Sequence, residues 1–426
     1  MHRIVRVGGR EILDSRGRPT VLAKCWLDDG FGEASVPSGA STGRAEAKEL
    51  RDGEVNRYGG HGCLRAVEQI NGEIQNSLAG VMPASQADLD QRLIAMDGSR
   101  DKSRLGANAI LAVSLAFARA SASAEKIELW EYFSHLIPVQ PRTLPRLIVN
   151  LFSGGMHAGQ QVPVQDVMVV PIHTRTIHET MSTVYDIYYS AAELARNRYQ
   201  MRLLRADEGG LAPPFQTPEE MLDVATEAIE AAGYRPGDDV TLAIDVASSH
   251  FYSNGRYRLG TESLTSEEMV ARLERWAGSY PIFSVEDGLA ESDWDSWPLL
   301  MSRLGHRLQI VGDDLLCTNA SRIRQAVSTG GANSLLLKVN QTGTLTEAAN
   351  ALQEARTAGW SVVLSVRSGE TEDCWAADLA VGWGAEQFKN GSITQSERLS
   401  KINRLLEIEE VTGWTVAPLL QKRQRA

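Results

Sequence analysis

Lysine is scarce in this chain: only eight of its 43 basic residues are Lys, and none lies between Lys126 and Lys338. Arg therefore supplies nearly all the positive charge. A Lys at the end of a buried strand is then a candidate for proton chemistry, because an amine can release its proton and a guanidinium cannot; a structural ion pair is the alternative. Cysteine is scarce too. Cys25, Cys63, Cys317 and Cys374 lie far apart with no paired spacing, which excludes a disulfide framework and a cysteine-rich zinc site. Positive charge is not in excess: the net charge of −11 argues against nucleic acid or an anionic membrane as partner, although a local cation can still gather acids and phosphate in one pocket. No apolar run approaches about 18 residues, and MHRIVRVGGREIL lacks the apolar core of a secretion signal. The sequence predicts no membrane span and a cytoplasmic protein.

What is present is a large core and a repeated pattern. The chain has 426 residues, 43% of them apolar, enough for one large barrel plus a smaller domain. Up to about residue 125, Ile4–Val7 and Val21–Leu27 alternate like strands, and Asp101–Ala124 reads as a helix of small residues, an α+β unit. Three prolines in IPVQPRTLPR mark a boundary. Beyond it, apolar runs at 146–150, 167–170, 240–244, 282–285, 308–311, 335–337 and 362–364 are separated by helical stretches such as 219–232 and 267–277. This alternation predicts a parallel barrel or a doubly wound sheet.

Within Ile310–Asn340 the pattern reads strand, helix, strand, with Asp313 after the first strand and Lys338 after the second. In a parallel βαβ unit both strand ends open on one rim, so the two should share a mouth. Asp245 and Glu286 end the two preceding runs, and Lys389 lies in a turn near GAEQFKNG. Three carboxylates from successive strands, with no Cys or His among them, form an oxygen donor set suited to Mg²⁺.

Motifs along nearly the whole chain then identify a resemblance: EILDSRG from Glu11, VPSGASTG from Val36, GGMHAG from Gly154, ADEGGLAP from Ala206, VEDGLAESDW from Val285, GDDL from Gly312, LLLKVNQTGTLTE from Leu335, RSGETED from Arg367 and SERLSKINRLLEIEE from Ser396. The chain resembles the enolase (phosphopyruvate hydratase) family. The resemblance implies an α/β fold: a modified (β/α)8 TIM-like barrel (residues 140–426) preceded by a smaller α+β capping domain (residues 1–130). It also implies a homodimer or octamer, two Mg²⁺ sites and a small phosphorylated carboxylate as substrate. By resemblance Asp245, Glu286 and Asp313 hold the first magnesium, and Ser41 in the VPSGASTG lid helps to hold the second. Lys338 is the base that removes the C2 proton of 2-phosphoglycerate, Lys389 holds the carboxylate, and Arg367 and Ser368 contact the phosphate. Glu208 assists departure of the C3 hydroxyl, and His157 is an active-site loop histidine, or a loop cap. These roles make chemical sense together, since cations on the carboxylate stabilise the charge that develops when an amine removes the proton beside it, and they draw the pKa of Lys338 down.

Two departures stand out. The family's S-H-R-S-G-E-T is SVRSGET here, placing Val366 where the family has an active-site histidine. QDVM places Asp166, expected with Lys338 and Glu208 among the catalytic residues, where the family has a glutamate, its carboxylate one methylene shorter. Gln395 also replaces an Arg of the family's R-S-E-R. Valine offers no proton and no hydrogen bond, so metals, base and phosphate contacts are kept while the surroundings of the leaving hydroxyl change. Three readings stay open: a diverged enzyme of the carboxyphosphonoenolpyruvate synthase type, in phosphinate or phosphonate antibiotic biosynthesis with an activated phosphonoformate as co-substrate; an ordinary phosphopyruvate hydratase; and a non-catalytic enolase-like binding protein. His173, His178, His250 and His306 read as surface residues, Trp294, Trp297, Trp375 and Trp383 as packing, and Glu370, Glu372 and Asp373 as rim supports.

Overall fold

A computed structural model describes residues 2–40, 42–138, 140–202 and 204–419. The N-terminal unit opens with three antiparallel strands, β1 (Ile4–Leu13), β2 (Pro19–Leu27) and β3 (Phe31–Ser35). Behind them runs the helix Ala107–Glu125. It begins six residues later than the sequence pattern predicts, because Gly106 at φ +95° sets a non-helical backbone just before it. The helix is long and apolar enough in composition to cross a membrane, yet most of it is buried inside the protein. Its alanines let the sheet approach closely. A Cβ built on Gly32 would lie 2.4 Å from the backbone nitrogen of Ala120 and 2.5 Å from the carbonyl oxygen of Ala116.

The chain stays helical over Leu129–His135, with a reciprocal Glu128/Glu131 capping box at its start, before it enters the proline-rich boundary. Eight strands then close a barrel: β4 (Arg146–Ser153), β5 (Asp166–Pro171), β6 (Val240–Asp245), β10 (Ile282–Glu286), β11 (Gln309–Gly312), β12 (Ser334–Leu337), β13 (Ser361–Ser365) and β14 (Gln387–Lys389). A small antiparallel sheet, β7 (Tyr252–Ser253), β8 (Arg256–Leu259) and β9 (Glu262–Leu264), is inserted after β6. All but one of the barrel-strand residues are buried, which is why the strands read as continuous apolar runs rather than alternating ones. The inside of the barrel is filled by Ile148, Met168, Val170, Ala243, Val311, Leu336 and Val363, so it is a packed core closed below the rim.

Two features differ from the sequence expectation. The segment around Lys389, expected as a turn, is a three-residue strand pairing with both β13 and β4. The barrel is also not wholly parallel, since β5 runs antiparallel to both β4 and β6. The connection from β4 to β5 carries only the single turn Gly155–Ala158; a parallel return needs a crossover element that this connection does not supply. Helices Ile177–Tyr199 and Pro218–Ala231 follow β5 in succession.

The N-terminal unit caps the mouth. Ser38 bridges to Gly369, Arg119 pairs with Asp373 at 2.7 Å, and Asp90 accepts from Thr346 at 2.6 Å. Because the sheet meets the backbone of the Ala107–Glu125 helix at Gly32, Gly32→Val is expected to destabilise the protein by about 1–3 kcal/mol through overpacking, read as a lower midpoint in chemical denaturation with an unchanged slope.

Candidate active site

The strand ends decide what the mouth contains. Glu286 and Asp245 are register partners at the ends of β10 and β6, Asp313 directly follows β11, Lys338 follows β12, and Lys389 ends β14. Since β5 runs the other way, its first residue reaches this same rim: Asp166 is the register partner of Asp245 on one side and of Ser153 on the other. Asp313 and Lys338 share the mouth as their spacing predicts, Nζ lying 2.5 Å from Oδ2.

Two charge systems result. In the first, Lys389 Nζ donates to Asp245 Oδ2 at 2.9 Å and lies 2.9 and 2.8 Å from the two oxygens of Glu286. Asp313 takes Lys338 on one oxygen and Gln341 Nε2, at 2.9 Å, on the other. Burial works against the charge of Asp245, but the Lys389 ammonium outweighs it and lowers the pKa to about 2. Glu286 goes the other way: burial and the adjacent Asp245 push its pKa well up although Lys389 touches it. Burial would lower the pKa of Lys338; Asp313 overrides this and raises it. The protein's own groups thus move the amine opposite to the direction expected from cations at the site.

In the second system Asp166, fully buried, accepts from Ser153 Oγ at 2.8 Å and Asn150 Nδ2 at 3.0 Å, and its other oxygen lies 3.0 Å from His157 Nδ1. Asn150 Nδ2 also donates to Glu208 Oε2 at 3.1 Å, and Glu208 Oε1 lies 3.9 Å from His157 Nε2. Burial disfavours the imidazolium, but the carboxylates of Asp166 and Glu208 outweigh it and raise the pKa of His157 to about 9.

The cleft between these systems is lined by His157, Gln165, Glu208, Lys338, Val366 and Lys389, together with Arg367, Ser368 and the lid residues Gly39 and Ala40. Asp166 does not line it and stands behind His157, so it reaches the cleft only through the imidazole. Arg367 is held by Glu46 at 3.1 and 3.2 Å and by Asn340 at 2.8 Å. Ser368 Oγ accepts from the Ala40 amide at 2.7 Å and from Arg16 at 3.3 Å. Ser41, the expected lid ligand, lies outside the described residues. The histidines expected at the surface are exposed, and Trp297, Trp375 and Trp383 are buried.

Sequence reading missed Asn150, Ser153, Gln165, Gln341 and Glu46. Polar side chains at 150 and 153, ending an apolar run, were the available signal for the first two. Glu46 depends on the closeness of the two domains, and Gln341 on a contact with Asp313 between neighbouring strand ends; neither gave a signal in the spacing.

Among the described residues two buried groups bring ligand atoms within 4.8 Å of one another, His157/Asp166/Glu208 and Asp287/Asp313/Asp314, and a third, His2/Asp28/Asp29, lies at the surface. Asp287 uses its carboxylate locally, accepting from the amides of Asp313 and Asp314 at 2.9 and 2.8 Å.

Residues 4–133 match the family model described as the enolase N-terminal domain, and residues 141–419 match the one described as the enolase C-terminal TIM barrel domain.

The raised pKa of His157 has a defined pH signature. A group whose folded pKa exceeds its unfolded value near 6.5 contributes stability that is complete below that value and lost as pH rises through the folded pKa. The imidazole is expected to remain protonated at pH 7.5 and to titrate near pH 9. The His157→Gln variant should lose stability relative to the parent below pH 6.5 and converge with it above the folded pKa, as followed by NMR of the ring and denaturation at several pH values.

Proposed function

We propose that this chain, which belongs to the enolase family, is a magnesium-dependent enzyme that takes a small phosphorylated carboxylate of the 2-phosphoglycerate or phosphoenolpyruvate type through an enolate intermediate. Its specific reaction in this proposal is that of a carboxyphosphonoenolpyruvate synthase, with an activated phosphonoformate as co-substrate. The observation that carries the proposal is the lining of the cleft: Val366 lines the same space as Lys338, Lys389, Glu208 and His157. Base and cations are retained, and an aliphatic side chain faces the same space.

Asp245, Glu286 and Asp313 fit a magnesium ion. All their donors are oxygen, the pKa of Glu286 is pushed up despite the contact from Lys389, and the buried Oε1 of Gln165, whose Nε2 donates to Asp245, has no hydrogen-bond partner. Bound there, Mg²⁺ supplies positive charge for the carboxylate of the developing enolate. Ser41 is proposed for the second ion.

The chain's own residues do the rest. Lys338 removes the C2 proton once Asp313 is drawn off its ammonium, since that carboxylate is what holds the amine protonated. Lys389 steadies the substrate carboxylate, and Arg367 and Ser368 form the phosphate side, where the Ala40 amide fastens the lid. On the leaving-group side, Glu208 is tied to Asn150 and faces His157. Asp166 orients His157, acting as a positioning residue. Val366 can neither donate nor accept a proton there, so departure of the C3 hydroxyl is disfavoured while enolate formation is not.

Ordinary phosphopyruvate hydratase activity is the second reading, favoured by the His157 and Glu208 pair, which retains an acid on that side. Proton exchange at C2 of 2-phosphoglycerate in heavy water with Mg²⁺, followed by NMR, separates the two. The expected result is deuterium incorporation without matching phosphoenolpyruvate, with exchange reduced on the order of 10²–10⁴-fold in Lys338→Met. Phosphoenolpyruvate formed as fast as exchange would favour the hydratase, and no exchange would exclude this substrate.

A further inference from the structure

We infer that the protein carries a second anion-binding site outside the barrel mouth, for a small hydrophilic ligand bearing phosphate or phosphonate groups. The inference does not rest on the proposed reaction. A cavity of about 740 Å³ lies between the N-terminal unit and the barrel, within the size range of small-molecule sites. One bank is formed by residues 44–48 and 100–102, the other by residues 317–325 and the stretch from Gln341 to Asn350.

Its charge opposes that of the whole chain. Five basic side chains line it, Arg44, Lys48, Arg100, Lys102 and Arg322, against three acids, Glu46, Asp101 and Glu347, in a protein of net charge −11. Two of those acids are already engaged: Glu347 holds Lys102 at 2.8 Å, and Glu46 holds Arg367. Lys48 and Arg100 form no ion pair or side-chain hydrogen bond among the described residues; the nearby carboxylate of Asp101 feels the charge of Lys48 without pairing with it, so both cations keep hydrogen-bond donors for a ligand. A local excess of one sign of charge in a cleft concentrates ions of the other sign.

The backbone supports a built site. Lys102, Cys317 and Thr318, all lining the cavity, have φ of +58°, +46° and +47°, a conformation that residues with side chains rarely adopt and that clusters at functional sites. No aromatic side chain lines the cavity, so nothing offers a nucleobase a stacking surface. The uncharged lining of Asn319, Ser321, Gln325 and Asn350 suits hydroxyl groups instead.

The cavity is close to the mouth yet separate from it. Thr318 Oγ1 accepts the amide of Lys338 at 2.9 Å and donates to Gln341 Oε1 at 2.7 Å. Gln341 turns its other end to Asp313, so these two side chains form a shared wall.

The test uses fructose 1,6-bisphosphate as a hydrophilic bisphosphate probe on the full chain in Mg²⁺ buffer, by calorimetry and by a crystal structure of the complex. A phosphate group within hydrogen-bond reach of Lys48 or Arg100 is expected. Affinity should fall at least ten-fold in the K48A/R100A double variant, both positions being exposed, with an unchanged Tm and weaker binding at higher salt. Probe bound only in the barrel mouth, no binding at all, or parental affinity in the double variant would overturn the inference.

Discussion

Five charged side chains at the barrel mouth are almost entirely out of water, and each is tolerable only because of the others. Asp245, Glu286 and Asp313 are met by Lys389 and Lys338. Burying charges is costly unless they are paired and hydrogen-bonded, and removing one partner of such a pair typically costs about 3–5 kcal/mol. The strands that end at this rim must therefore stay in register to within a residue, since a one-residue slip would turn an acid into the packed interior. The apolar plug beneath, built from Ile148, Met168, Val170 and their neighbours, fixes that register. The compensation is incomplete at Glu286, whose pKa is pushed up by burial and by Asp245, and this is where further positive charge would be most stabilising.

The second constraint is topological. With β5 reversed, its N-terminal residue stands among the C-terminal ends of its neighbours, and the loop before it brings His157 in front of Asp166. One antiparallel strand thus adds an acid–imidazole pair to a rim otherwise built from strand ends. The N-terminal unit contributes through Glu46 on Arg367 and through Ala40 and Arg16 on Ser368, so the phosphate side of the cleft is assembled across a domain boundary.

Much of this was legible in the sequence, for physical reasons. Doubly buried strands leave unbroken apolar runs, and an acid or a rare lysine ending such a run signals the rim, as at Asp313 and Lys338. A three-residue strand carries too little pattern to tell from a turn, which is why β14 was not expected. The direction of β5 is set by what its connection lacks rather than by its own residues. The motifs of the resemblance located Glu208 and His157, whereas Asn150, Gln341 and Glu46 act through contacts that sequence spacing does not encode. The placement of Asp166 behind His157 likewise follows from the fold.

Val366 is the residue on which the functional account turns. It lines the cleft beside Lys338 and Glu208, and its methyl groups offer nothing to a departing hydroxyl. The most direct measurement is the ratio of phosphoenolpyruvate formation to C2 proton exchange for 2-phosphoglycerate, in the parent protein and in Val366→His. The account predicts a low ratio in the parent that rises in the variant through faster elimination, with exchange little changed. A high ratio in the parent, or a ratio that the substitution leaves unmoved, would contradict it.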